Sequence, residues 1–381
     1  MKKVYAVDLF CGAGGFSLAA LNSGVAILAA VELDDDASAT YKKNIIDKRS
    51  LETRLFNEDI FEINIDDFIG KLNFEGELDL LIGGPPCQGF SSHRINDQGV
   101  DDPRNELLIR YFDFVNKLKP KAFIVENVPG LLWERHKSYL DRFKEISEES
   151  GYEILGPVKL NAKDYGVPQN RSRVFILGIK KGEQFDRTQW PPKATHFKPK
   201  KGTPEWRNAS EVFEKPTVEE LDKIKLVLGE HISKSLIFGE GLRPLTEDAS
   251  AIHMTHTQAL TERFISTPIN GSRCDIDFRL PCHVGDYLGH KDVYGRIRLA
   301  QPGPTMTTGC FNPSKGRFLH AWKHHGITIR HAARLQTFPE DFIFTGGITN
   351  QGKQVGNAVP VKMGEVIINT VMDMIKVKSV D

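Results

Sequence analysis

The segment Gly83-Gly84-Pro85-Pro86-Cys87-Gln88-Gly89-Phe90-Ser91 sets a single thiol on a loop stiffened by two prolines, which bar helix there. A cysteine presented rigidly in this way is a candidate nucleophile. An ordinary thiol has a pKa of about 8.5 and is only slightly ionised near neutrality. Neighbouring positive charge would activate it, and His93, Arg94 and Arg104 follow closely in sequence. Taken alone, a lone cysteine is more often a small buried hydrophobe. Glu126-Asn127-Val128 ends another apolar run. A glutamate at the mouth of a buried strand can be kept protonated by desolvation and can then donate to a ring nitrogen. It would serve equally as a capping or surface acid. In Gln169-Asn170-Arg171-Ser172-Arg173, extended backbone would put Arg171 and Arg173 on one face. Two guanidiniums there suit a phosphate or a base carbonyl; two surface arginines on an edge strand are the plainer reading.

A second constellation precedes these. Asp8-Leu9-Phe10-Cys11-Gly12-Ala13-Gly14-Gly15-Phe16-Ser17 places three glycines directly after an apolar run and before a helical pattern. Such a turn lets backbone approach a ligand closely, and the carboxyl ends of parallel strands form the ligand crevice of open α/β sheets. Glu32 closes the next run and can accept hydrogen bonds from both hydroxyls of a ribose. Asp59-Ile60 follows where a third strand should end. The spacing is not the GxGxxG of dinucleotide sites, so a pyrophosphate is not specially favoured. A tight structural turn beside surface acids is the alternative.

The elements needed to hold these residues can be read from periodicity. Apolar runs at 4–10, 27–33, 78–84, 122–128 and 173–179 are mostly continuous, as in strands buried on both faces. Helical patterns at 16–23, 36–46, 104–118 and 135–150 separate them. Strand and helix in alternation predict a mostly parallel sheet with helices on both faces. After 178 the chain turns irregular: 180–204 is rich in Pro, Lys and Gly, a helix is expected near 217–228, and 229–316 is polar and turn-rich. Helical order returns at 328–338 and again at 361–377.

Composition bounds the function less tightly. The 381 residues suit two domains, or one with a large insertion. Lysine plus arginine equal aspartate plus glutamate at 50 each, so net charge is silent about nucleic acid. Its distribution is not: 32–79 holds fourteen acids against six bases, whereas 289–334 holds eight bases, one acid and five histidines. A single electropositive face and a scatter of solvated charges fit this pattern equally well. The five cysteines are widely spaced without a CxxC pair, which indicates neither zinc site nor disulfide framework and suits a reducing interior. No apolar stretch is long enough to span a membrane, and a cytoplasmic location is expected.

In this order the segments closely resemble the cytosine-5 DNA methyltransferases. The matching blocks are DLFCGAGGFS, the Glu32 strand end, Asp59-Ile60, GGPPCQGFS, ENV and QNRSR, joined later by RHAARLQTFP at 330–339 and QVGNAVP at 354–360. The resemblance implies a Rossmann-like S-adenosylmethionine-dependent methyltransferase sheet plus a smaller irregular target-recognition domain. The catalytic and cofactor-binding part would be 1–185, completed by 345–381, with target recognition and hinge in 186–344. Phe10, Gly12, Gly14, Glu32, Leu33, Asp59, Ile60, Pro86, Leu107, Asn357 and Val359 would bind S-adenosylmethionine, which leaves as S-adenosylhomocysteine. The C-terminal helix would then lie beside the first. Cys87 would attack carbon 6 of cytosine, Glu126 would bond ring nitrogen 3, and Arg171 and Arg173 would orient the base and the active loop. Ser91 and Thr305 would contact the DNA backbone. The polar loop 91–103 is expected to close over a flipped base.

Double-stranded DNA is the implied partner, with a companion restriction endonuclease sharing its site; a monomer is expected, and no metal. The alternative is the same chemistry on RNA, but the Cys-Phe-Thr signature of the RNA-methylating branch is missing. One departure lies in the late arginine block, where the family often carries a glutamate and this chain reads His331-Ala332-Ala333.

Overall fold

The computed structural model describes residues 3–85, 103–200, 202–244, 248–276 and 291–376. By compactness the chain divides into one unit of Met1–Asn161, Ser172–Ala194 and Val361–Asp381, and a second of Ala162–Arg171 and Thr195–Pro360.

The first unit is built on seven strands: β1 Val4–Leu9, β2 Val25–Val31, β3 Arg54–Phe56, β4 Leu80–Gly83, β5 Ala122–Asn127, β6 Tyr152–Asn161 and β7 Ser172–Lys180. They form one sheet in the order β3-β2-β1-β4-β5-β7-β6. The neighbours from β3 to β5 pair in parallel, while β7 runs antiparallel to both β5 and β6. Every residue of β4 and β5 is buried, as the continuous apolar runs require. The helices in chain order are α1 Gly15–Asn22, α2 Asp35–Tyr41, α3 Ile65–Leu72, α4 Pro103–Leu118 and α5 Lys137–Glu149, then α6 Val218–Leu228, α7 Glu230–Ser235, α8 Gln258–Ser266, α9 Ile329–Leu335 and α10 Ile348–Asn357 in the second unit, and α11 Val361–Lys376 in the first. Successive side chains of β1 alternate between the faces of the sheet. Val7 and Leu9 join the core formed with Phe68 of α3, Phe112 of α4 and Phe143 of α5. Asp8 points the other way and accepts from Ser17 of α1. On that side α11 packs against α1, as expected, and Asn22 donates to Glu365 at 2.7 Å.

The second unit has few regular elements, so its buried carbonyls need donors from elsewhere. Guanidiniums supply them. Arg296 donates from Nε to Thr267 O at 2.7 Å, from Nη1 to His320 O at 3.0 Å and from Nη2 to Phe264 O at 2.6 Å. Arg317 donates to the carbonyls of Asn270, Gly271 and Arg296, and Arg330 pairs with the buried Asp248 at 2.8 Å. Much of the basic excess of 289–334 therefore stands inside the unit, not on its surface.

A second buried network joins Glu214, His320 and His331, whose ligand-type atoms lie within 4.8 Å of one another. Its hydrogen bonds fit imidazole–carboxylate pairing better than a metal. Nδ1 of His320 accepts from the amides of Trp322 and Lys323, and Nδ1 of His331 from that of Thr328. Each ring must then carry its proton on Nε2, the nitrogen that faces Glu214. Lys323 also reaches the same carboxylate, and these partners hold Glu214 far below the usual carboxylate range. Burial pushes the imidazoles down, His320 to about 3 and His325 to about 4, with His331 and His256 lowered too. These groups are neutral when folded and free to take up protons when unfolded. Stability should therefore fall as pH drops below about 6.5 and keep falling toward 4. We expect the melting temperature to decrease by several degrees from pH 7 to pH 5 in circular dichroism; an unchanged value across that window would contradict this account.

Candidate active site

The glycine turn begins at the end of β1. Phe10 and Gly12 have positive φ, 60° and 54°, and Gly14 has φ 93°. Left-handed backbone at Gly14 is what glycine tolerates best. The turn is closed by Gly14 N donating to Cys11 O at 2.9 Å. Glu32, just past β2, holds it from the side: Gly12 N donates to Oε2 at 2.8 Å, and Asp34 N to Oε1 at 2.9 Å. Burial raises the Glu32 carboxyl above its ordinary value. Each oxygen keeps acceptor capacity beyond its one amide. A side chain at Gly12 would meet nothing within 4 Å, so there is open space at the turn. Leu33, next to Glu32, is 62% exposed, an apolar wall uncovered at that rim.

Past β3, Asp59 caps the following turn by accepting from Phe61 N at 3.0 Å, and Ile60 is buried. Leu107 of α4 packs onto the same core cluster that contains Ile60. Arg110, one turn further along α4, donates from Nε to Ile60 O at 2.8 Å and from Nη2 to Ile63 O. It ties the loop carrying Asp59 and Ile60 to the helix carrying Leu107. Sequence reasoning missed this residue, because nothing local marks an arginine whose partners are carbonyls 47 and 50 positions away. A shallow groove of about 350 Å³ adjoins it, lined by Phe61, Glu106, Ile109, Arg110 and Asp113. None of the expected site residues lines that groove.

The second group of residues stands at the ends of β4 and β5. Gly83 ends β4, and a methyl group at Gly84 would come within 3.2 Å of Glu126 Oε2. The chain thus passes close against the Glu126 carboxylate three residues before Cys87. Glu126 is buried near the end of β5, and Arg173 Nε stands 2.8 Å from its Oε1. Arg173 sits near the start of β7. Because β7 runs antiparallel to β5, its start meets the end of β5.

Arg171 and Arg173 engage different partners. Arg171 lies just before β7, is fully buried, and donates to Met306 O at 2.7 Å, Gly356 O at 2.8 Å and Ala358 O at 3.0 Å. The carbonyls of irregular backbone claim its fork, so it offers no surface for a phosphate. Gln169 works beside it, accepting from Met306 N at 2.9 Å and donating to Leu335 O at 3.0 Å. Thr305 Oγ1 donates to Asn170 O at 2.8 Å. Asn357 ends α10 and is exposed, while Val359 is buried; both belong to the second unit. Pro86, Cys87, Ser91 and the loop 91–102 lie outside the described residues.

The profile of the C-5 cytosine-specific DNA methylase family matches residues 4–373. The chain belongs to that family. It is 31% identical over 369 residues to the Type II methyltransferase M1.HphI of Haemophilus parahaemolyticus, covering 97% of this chain and 86% of that protein. It is 30% identical over 379 residues to M.DdeI of Desulfomicrobium norvegicum, covering 95% and 86% respectively. Among solved structures, a prophage-encoded DNA modification methyltransferase of E. coli superimposes with a TM-score of 0.69 at 24% identity, over 98% of this chain and 99% of that one. Spodoptera frugiperda DNMT2 gives a TM-score of 0.58 at 16% identity, over 97% and 100%. These two show a shared fold.

The enzyme is thus a DNA (cytosine-5) methyltransferase, and its family uses S-adenosylmethionine. Open space at Gly12, a carboxylate with acceptor capacity and the uncovered Leu33 fit an adenosyl group. If Arg110 sets the spacing of the loop and helix beside that group, Arg110→Ala should raise KM for S-adenosylmethionine roughly tenfold, the scale of one ordinary hydrogen bond felt indirectly, and leave kcat near its original value. Steady-state kinetics with varied cofactor would check this; an unchanged KM would sink it.

Proposed function

We propose that this methyltransferase works on a cytosine flipped out of duplex DNA, with Cys87 as a transient covalent nucleophile. The observation that supports this most directly is the buried Glu126 carboxylate, gripped by Arg173 and pressed against Gly84 at the root of the Cys87 loop. Neither carbon 5 nor carbon 6 can be reached inside a duplex, so extrusion is required, at a cost of a few kcal/mol. The Cys87 thiolate forms a bond to carbon 6, and the electron pair of the 5,6 double bond shifts through carbon 4 toward nitrogen 3. Glu126, entering as the protonated acid and held in place by Arg173, gives its proton to nitrogen 3 and accommodates the charge that develops there. Carbon 5 becomes nucleophilic, and one difficult step is divided into easier ones. S-adenosylmethionine supplies the electrophilic methyl group and leaves as S-adenosylhomocysteine. Loss of the carbon 5 proton to water then restores the double bond and expels the Cys87 thiolate, and nitrogen 3 returns its proton to Glu126.

Other roles follow the same reading. Phe10, Gly12, Gly14, Glu32, Leu33, Asp59, Ile60 and Leu107 would hold the cofactor, Glu32 through the ribose hydroxyls. Arg171 would be a positioning residue, steadying the segment that leads to Arg173. Target reading is assigned to 186–344 and catalysis to 1–185 with 345–381. The curated relatives carry the name Type II methyltransferase. We therefore infer a restriction–modification setting, with a companion endonuclease for the same site, and a monomer acting in the cytoplasm without a metal. Among the described residues no helix is long and apolar enough to cross a membrane.

Bisulfite sequencing of DNA from cells expressing the chain should reveal methylated cytosines in one sequence context, while structured RNA stays unmodified. Cys87→Ser should abolish that signal, and Glu126→Gln should lower kcat roughly a hundredfold or more without weakening cofactor binding. Duplex carrying 5-fluorocytosine at the target, where the last proton cannot leave, should trap a covalent adduct with the wild-type enzyme. Intact turnover by the serine variant would refute the covalent route.

A further inference from the structure

Beneath the glycine turn lies a second buried acid that the reaction above does not use. Asp8 in β1 is 1% exposed. Ser17 Oγ of α1 donates to its Oδ2 at 2.6 Å, and the Tyr41 hydroxyl of α2 donates to Ser17 Oγ at 2.9 Å. The Tyr41 ring also abuts the turn itself: a Cβ at Gly14 would lie 2.9 Å from Tyr41 Cδ2. Three side chains from three elements thus form one hydrogen-bonded line under Gly12–Gly14.

The charges around this line are all of one kind. Among the described residues, the titratable groups that interact electrostatically with Asp8 are Glu32 past β2, Cys11 of the turn, Tyr41 of α2 and, across the sheet, Tyr111 of α4. Each is an acid, and none is a base. Glu32 has its oxygens engaged by the amides of Gly12 and Asp34 and gives Asp8 no proton. Two neighbouring carboxyls out of water, without a cation between them, resist ionising together. S-adenosylmethionine carries a permanent positive charge on sulfur, and its ammonium and carboxylate groups offset one another, so the cofactor is a net cation.

We propose that binding of S-adenosylmethionine at the glycine turn expels a proton from Asp8, whose buried carboxylate becomes a counter-charge to the cationic cofactor. This rests on reading the turn as the cofactor site. The O–H bond of the Asp8 carboxyl breaks, its electron pair stays on the carboxylate, and the proton goes to the solvent buffer. Ser17 serves both states, because a hydroxyl donates to a carboxylate and accepts from a carboxylic acid. Burial pushes the Asp8 carboxyl up to about 7, with the neighbouring Glu32 adding to the rise, so the group is poised between its two forms near neutral pH. S-adenosylhomocysteine lacks the sulfonium charge and should expel less.

Isothermal titration of the full chain with S-adenosylmethionine, in phosphate and in Tris at pH 7, reads the number of protons released. A release of up to about half a proton per cofactor is expected for wild type, with affinity rising up to about tenfold from pH 6 to pH 8. Asp8→Asn should bind the cofactor with that share of the release removed. Ser17→Ala removes a bond that favours the carboxylate and should move the release to higher pH; it provides the test where Asp8→Asn fails to fold. Identical binding enthalpies in the two buffers would overturn the inference. So would an Asp8→Asn release equal to wild type, or equal release by S-adenosylhomocysteine. A wild-type chain that binds no S-adenosylmethionine would instead overturn the reading of the turn.

Discussion

One strand running against its neighbours makes the proposed catalytic centre possible. Side chains at the carboxyl ends of β1, β2, β4 and β5 converge on a single edge because those strands are parallel. A residue at the beginning of a further parallel strand would sit at the opposite edge. Since β7 is reversed, its beginning arrives where β5 ends, and Arg173 meets Glu126 at 2.8 Å. The carboxylate is buried and would be costly to keep there without a partner. Reversal of β7, the burial of Glu126 and the glycine at position 84 therefore form one arrangement: the acid needs its arginine, and the loop needs to pass the acid without a side chain in the way.

The glycine turn shows the same economy on the other side of β1. The Glu32 carboxylate holds the Gly12 amide, and the Tyr41 ring backs the turn at Gly14. Backbone amides and acids, not a phosphate-binding cradle, dominate what it presents. That agrees with a positively charged adenosyl cofactor in place of a dinucleotide.

The sheet was legible wherever strands were continuously apolar, and so were the blocks that mark the family. In the second unit the helices α7, α8 and α10 were not, and in the first unit three elements were not. β3 is only Arg54–Phe56 and was placed merely as a strand ending near Asp59. The eight-residue α3 lies in an acidic stretch and is delimited by Asn64 at its start and Asn73 at its end, short-range signals that a search for long periods passes over. β6 is a ten-residue strand near the edge, interrupted by Gly156 and Pro157, and so lacks the apolar run that betrays a buried strand. At the site, residue types named the chemistry, but contacts did not follow from them. Arg171 and Arg173 differ by two positions and have unlike tasks, one holding three carbonyls and the other a carboxylate. Arg110 and Tyr41 act through partners far away in sequence, which no local pattern records.

The second unit carries a different lesson through its interior guanidiniums. A sheet specifies its neighbours residue by residue, so a new loop that shifts register damages the whole. Here Arg171, Arg296, Arg317 and Arg330 fasten separate stretches of backbone by their carbonyls and acids, like rivets through plates. A carbonyl accepts whatever side chain its residue bears. The plates between rivets can therefore be exchanged or lengthened while the fasteners stay put.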